Sequence, residues 1–163
     1  MADDKTARAA TVDDLLNLVR VLNLQGVDYL LIGGYALYSL GYQRATTDID
    51  ILVPATRESG EKVRKALLLL PDQAAADIDP AWFEEKETIR VADEFVVDVM
   101  FNACGESYES LLPHRRTVTL DDGTPVHTLD FEGLLKTKQT SRDKDRIDRL
   151  ALERALDAIG RTR

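Results

Sequence analysis

The chain reads as an α/β protein of the α+β type: a small mixed β-sheet with flanking helices and a helical pair at its C-terminal end. Three observations point there. Short apolar runs mix with amphipathic stretches without strict alternation, which excludes a regular βαβ repeat. Glycine or proline closes most of the runs, as at Gly26, Gly33-Gly34, Gly41, Pro54 and Pro71. The 163 residues contain no internal repeat and no low-complexity linker, so one domain spanning 1–163 is expected, with its core in 28–129.

Each element has a local reason. Thr11-Val-Asp-Asp is an N-cap signature, and Leu15, Leu16, Val19, Leu22 and Leu24 follow at roughly helical spacing up to Gly26. Tyr29–Ile32 is a short buried strand stopped by Gly33-Gly34, and Tyr35–Leu40 is a short helix closed by Gly41. Asp48–Val53 alternates as a strand does and ends at Pro54; Arg57–Leu70 is a second amphipathic helix closed by Pro71-Asp72. Residues 72–87 form a loop with a helical piece around Trp82, the expected local packing anchor. Thr88–Ala92 and Phe95–Phe101 are strands joined tightly at Asp93-Glu94. Ser107–Leu112 makes a helical turn. Val118–Leu120 and Val126–Leu129 flank Asp121-Asp-Gly-Thr as a hairpin. Helices over Phe131–Thr140 and Asp143–Ile159 complete the chain, with Gly160 as the C-cap.

Composition narrows the function classes. A net charge of −8 argues against a protein that coats nucleic acid by bulk electrostatics. The longest apolar runs are far too short to span a bilayer, and the polar start Met-Ala-Asp-Asp-Lys is unlike a signal peptide. A lone cysteine, Cys104, excludes an internal disulfide framework and fits a reducing compartment, so a cytoplasmic protein without membrane partners is expected. His114 and His127 lack the spacing of a zinc motif.

Three features carry chemistry. Gly33-Gly34 stands between a strand and a helix, where backbone N–H groups can approach a phosphate chain; an ordinary tight turn has the same sequence. Asp48-Ile-Asp50 places two carboxylates on one face of a strand, about 6.5–7 Å apart along the backbone, with Ile49, Ile51 and Val53 turned inward. Paired like charges call for a cation, and oxygen-only ligation suits Mg²⁺. The bland alternative is a solvated strand face, which fits poorly with so apolar a strand. Asp98 interrupts Phe95–Phe101, in which every other residue is apolar; it is either a ligand or a core acid bonded to a nearby arginine or to backbone amides.

Together these features resemble the DNA polymerase beta-like nucleotidyltransferase superfamily. Its signature is a Gly-Gly or Gly-Ser turn, a helix, an Asp-x-Asp strand and a third carboxylate on a later strand. The run Arg44-x-Thr-x-Asp-x-Asp50 looks especially like the AbiEii-type toxins and related minimal nucleotidyltransferases, and Lys136–Asp148 is similar to their final helices. The resemblance implies an enzyme that moves a nucleoside monophosphate from an NTP to a hydroxyl and releases pyrophosphate, with Mg²⁺, or Mn²⁺ in its place. By that likeness Asp48, Asp50 and Asp98 hold the metal, and Asp98 also orients or deprotonates the attacking hydroxyl. Gly33 and Gly34 cradle the phosphates, and Arg44, Lys136 and Lys138 neutralise them. For Arg44 an ion pair near Asp48 is the alternative, and for both lysines an exposed helix face. The acceptor is an RNA such as a tRNA 3′ end, or a partner protein of a toxin–antitoxin or phage-defence system. An antibiotic-modifying enzyme, or a degenerate domain that binds nucleotide or partner without turnover, are the other readings.

Overall fold

The computed structural model describes residues 7–42, 47–140 and 142–161. Among them a mixed four-stranded sheet and a separate two-stranded one are flanked by helices, the expected α+β class. Strands β1 (Leu30–Ile32), β2 (Asp48–Leu52), β3 (Ile89–Ala92) and β4 (Val96–Met100) lie in the order β1-β2-β4-β3. β2 runs antiparallel to β1 and parallel to β4, and β3 closes the edge antiparallel to β4. β5 (Arg115–Thr119) and β6 (Pro125–Leu129) form the second sheet. Thr128 Oγ1 donates to the Leu31 carbonyl at 2.8 Å, tying that hairpin to β1.

Helix α1 (Val12–Leu24) starts with a capping box between Thr11 and Asp14. It buries Leu15, Leu18, Val19 and Leu22 in the core beside the helix over Arg57–Leu67; Leu24, counted in the apolar pattern by spacing, is exposed at the last turn. Helix α2 begins at Gly33 itself rather than after the glycine pair, and runs to Ser39. Helix α3 (Arg57–Leu67) is N-capped by Thr56 and stops short of Leu70, because at Leu69 and Leu70 the backbone bonds tighten to the residue three back, Ala66 and Leu67. The buried carboxylate of Asp93 accepts from the backbone N–H groups of Asp72 and Ala74, both at about 3 Å, and so anchors this turn to the β3–β4 loop.

Residues 72–87 contain two 3₁₀ turns, Ala74–Asp77 and Pro80–Glu85. The anchor there is Phe83, fully buried and edge-on to Phe101 at 5.1 Å, whereas Trp82 is 42% exposed. Gly60 on α3 faces this segment, where an added Cβ would lie 2.8 Å from the Pro80 carbonyl oxygen. A short helix α4 (Tyr108–Leu111) leads to β5, which begins earlier than the apolar pattern suggests. Helix α5 (Phe131–Lys136), capped by Asp130, ends before Thr140; helix α6 (Asp143–Arg161) continues through Gly160, which is therefore not its C-cap. Among the described residues no helix is long and apolar enough to cross a membrane.

The contact at Gly60 sets a test of this packing. Gly60→Ala is expected to destabilise the protein by about 1–3 kcal/mol, because backbone blocks the new methyl. Gly160→Ala, with open space around its Cβ, should be neutral or stabilising by up to about 1 kcal/mol. Urea denaturation of both variants checks the contrast.

Candidate functional site

The site is built on strand register. β2 and β4 pair in parallel with Asp50 opposite Asp98, and side chains alternate along each strand, so Asp48, Asp50 and Asp98 share one face. The other face carries Ile49, Ile51, Val97 and Val99, all fully buried, which makes the register costly to slip. The sequence reading thus separated the two faces correctly, and the third carboxylate joins the first two.

Gly33 completes the floor. It adopts φ +76°, and a Cβ there would come within 2.6 Å of Asp50 Oδ2. Any side chain at this position would be strained and would collide with the carboxylate. Helix α2 has no side-chain N-cap, so the backbone N–H groups of its glycine-containing first turn have no cap partner.

A residue that sequence reasoning missed bridges the acids. Arg90 on β3 pairs in register with Asp98, and its Nε and Nη2 donate to Asp98 Oδ1 and Oδ2 at 3.1 and 3.2 Å. The same Nη2 donates to Asp48 Oδ2 at 3.0 Å. Asp98 is therefore a carboxylate bonded to a nearby arginine, as its alternative reading allowed. A two-residue turn at Asp93-Glu94 would have set Arg90 opposite Val97; the structure has three residues in the turn, with Ala92 opposite Val96, and this sets Arg90 opposite Asp98.

These groups line a cleft of about 740 Å³ with Gly33 and Gly34 on one wall. Lys138, Arg142 and Lys144 line it as well. A second concavity of about 500 Å³, between α1 and the β5–β6 hairpin, is lined by the carboxylates of Asp13 and Asp121 without a basic side chain. The cleft over the three carboxylates brings acids, bases and the glycine turn together.

Lys138 lies past the end of α5 and is buried, not on an exposed helix face. Its Nζ is 3.6 Å from Asp145 Oδ1 and 3.1 Å from Asp148 Oδ2, both buried acids of α6. Arg149 donates to the Lys138 and Thr140 carbonyls, fastening the same segment to α6. Burial works against ionisation of Asp145, yet Thr140, Arg142 and Lys138 hold its pKa below the ordinary carboxylate value. The structure also places Lys136 apart from this group: it is exposed in the last turn of α5 and does not line the cleft. Arg44 lies outside the described residues.

Burial, with repulsion from Asp98 and Asp48, pushes the Asp50 carboxyl up to about 6 against the attraction of Lys138 and Lys144. Three carboxylates on one face are a hard, oxygen-only donor set, the chemistry that Mg²⁺ takes. Among the described residues, however, no group of three His, Cys, Asp or Glu side chains converges closely enough to hold a metal as it stands. Asp48 and Asp98 both accept from the Arg90 guanidinium, and Asp50 stands outside these bonds. Donor type and face fit a divalent cation, and Arg90 bonds three of the four oxygens of Asp48 and Asp98. Compared with family models and with curated proteins, the chain matches none.

Two expectations follow. A raised Asp50 pKa means the folded protein binds a proton that the unfolded chain releases, so stability present below about pH 4 is lost as pH rises towards 6. Asp50→Asn should therefore match the wild type near pH 4 and exceed its metal-free stability above pH 6, by on the order of 1–3 kcal/mol. Chemical denaturation across pH 4–8 measures this. Lys138→Ala, which removes the ammonium that two buried acids share, should cost about 3–5 kcal/mol. Lys136→Ala should change stability by less than about 0.5 kcal/mol in the same assay.

Proposed function

We propose that this protein is a nucleotidyltransferase of the DNA polymerase beta-like type, which transfers a nucleoside monophosphate from an NTP to a hydroxyl acceptor. The observation that carries the reading is the Asp50–Asp98 register, which gathers three carboxylates beside a glycine turn whose Cβ-free backbone opens onto the same cleft. A divalent cation bound there supplies neutralisation of the charge that builds up on the phosphoryl oxygens during in-line displacement.

The chain's own residues divide the remaining work. Asp48, Asp50 and Asp98 would together hold the cation. Asp98 orients the attacking hydroxyl and accepts its proton, aided by its place opposite Asp50 at the centre of the floor. The first-turn N–H groups of Gly33 and Gly34 face the phosphates, and their missing side chains let the chain approach. Lys138, held by Asp145 and Asp148, contributes a fixed positive charge; Arg142, bonded to Asp145, and Lys144 add further positive charge along the cleft. The sequence resemblance favours an RNA or a partner protein as acceptor, within a toxin–antitoxin or phage-defence system.

Arg90 favours a second reading. A guanidinium that already bridges Asp48 and Asp98 also suits a domain that binds a nucleotide or a partner without turnover. Incubation with each α-labelled NTP, Mg²⁺ and either total tRNA or host lysate separates the two. Labelled acceptor is expected, and Asp98→Asn should lower transfer about a thousandfold, roughly 4 kcal/mol of transition-state stabilisation, with unchanged circular dichroism. Absence of labelling with every NTP and acceptor, alongside NTP binding, would favour the non-catalytic reading.

A further inference from the structure

We infer that Arg90 is a displaceable counter-ion of the carboxylate triad and the residue that sets its affinity for a divalent cation. The inference rests on the reading that Asp48, Asp50 and Asp98 bind such a cation, and deepens it.

Competition follows from shared atoms. Arg90 Nη2 sits 3.0 Å from Asp48 Oδ2 and 3.2 Å from Asp98 Oδ2, while Nε takes Asp98 Oδ1 at 3.1 Å. A cation held by Asp48 and Asp98 draws on carboxylates of which three oxygens in four already accept from Arg90, so turning both acids to a metal competes with the guanidinium fork. The exchange also requires the two acids to turn from a planar fork towards a single centre near Asp50.

Exposure makes the arginine the partner that leaves. Its side chain is 61% exposed, against 30% for Asp48 and 14% for Asp98. β3 is an edge strand, so the guanidinium can rotate into solvent without opening a hole in the core. Asp98, on the interior strand β4, has no such freedom.

Charge supplies the drive. The fork brings one positive charge to two carboxylates, and Asp50 remains outside it. Lys138, the nearest buried cation, is already engaged by Asp145 and Asp148. A small dication can draw the three acids to one point, which a planar monocation bonded to two of them does not. Observed affinity is then the intrinsic affinity reduced by the fraction of molecules with Arg90 docked.

The test uses the full chain and Mn²⁺ without nucleotide, titrated by calorimetry or by loss of the free-ion electron paramagnetic resonance signal. Arg90→Gln should bind Mn²⁺ at least tenfold more tightly than the wild type. Arg90→Lys, which keeps a charge but cannot span two carboxylates, should fall between them. In a parallel Mg²⁺ titration, the Arg90 Nε–H resonance should move to its solvent-exposed position with the same midpoint as binding. Equal affinity of wild type and Arg90→Gln overturns the inference while leaving the cation site intact, as does an Arg90 resonance that stays put at saturation. Wild-type affinity in Arg90→Lys overturns it too, since proximity of charge would then suffice. Absence of Mn²⁺ binding in both wild type and Arg90→Gln overturns the cation site itself.

Discussion

The parallel pairing of β2 with β4 is the constraint on which the rest of the site depends. Two strands that are far apart in the chain must align so that Ile49 and Ile51 pack beside Val97 and Val99. All four side chains are fully buried, and hydrophobic burial of this kind contributes roughly 1.5–3 kcal/mol per side chain. Because strand side chains alternate, the same alignment brings Asp48, Asp50 and Asp98 together on the opposite face. A slip of one residue would drive carboxylates into the core and aliphatic groups into the cleft. The energy that holds the like charges together is thus supplied mainly on the far side of the sheet.

Around this floor, opposite charges are distributed by how tightly each is held. Lys138 is fixed: two acids of α6 face its ammonium, and Arg149 fastens its backbone carbonyl. Such buried pairs pay a large desolvation penalty and add little net stability, so their effect is to fix the position of a charge. Arg90 is the opposite case. Its contacts are water-facing, on an edge strand, and exposed pairs are worth about 0–1 kcal/mol. One cation is therefore part of the wall, and the other is a removable plug.

Helix α6 carries the fixed side of this arrangement through a run of mixed charge. Asp145 and Asp148 turn inward with Leu152 and Ala155, while Ile147 and Leu150 remain exposed. The helix is thus oriented as much by ion pairs with the 138–140 segment as by apolar burial. Its polar contacts bring a buried lysine to within the field of Asp50, some ninety positions earlier in the chain.

Much was legible locally. Alternation in Asp48–Val53 and the lone acid in Phe95–Phe101 depend on a strand's period of two, which holds whatever the partner strand is. The α1 capping box and the turn at Gly33 are likewise matters of a few adjacent residues. Three things were not legible: the bridging role of Arg90, the burial of Lys138, and the separation of Lys136 from the cleft. In the sequence, Lys138, Asp145 and Asp148 belong to a mixed charge run that reads equally well as a solvated face, because acids and bases occur on every side of that stretch. Which of them meets the interior is decided by where α6 docks, and that is settled by contacts between segments distant in the chain. By itself, then, the sequence determined which residues could share a face; the tertiary structure alone decided which charges met across the cleft, because ion-pair partners are chosen by proximity in space.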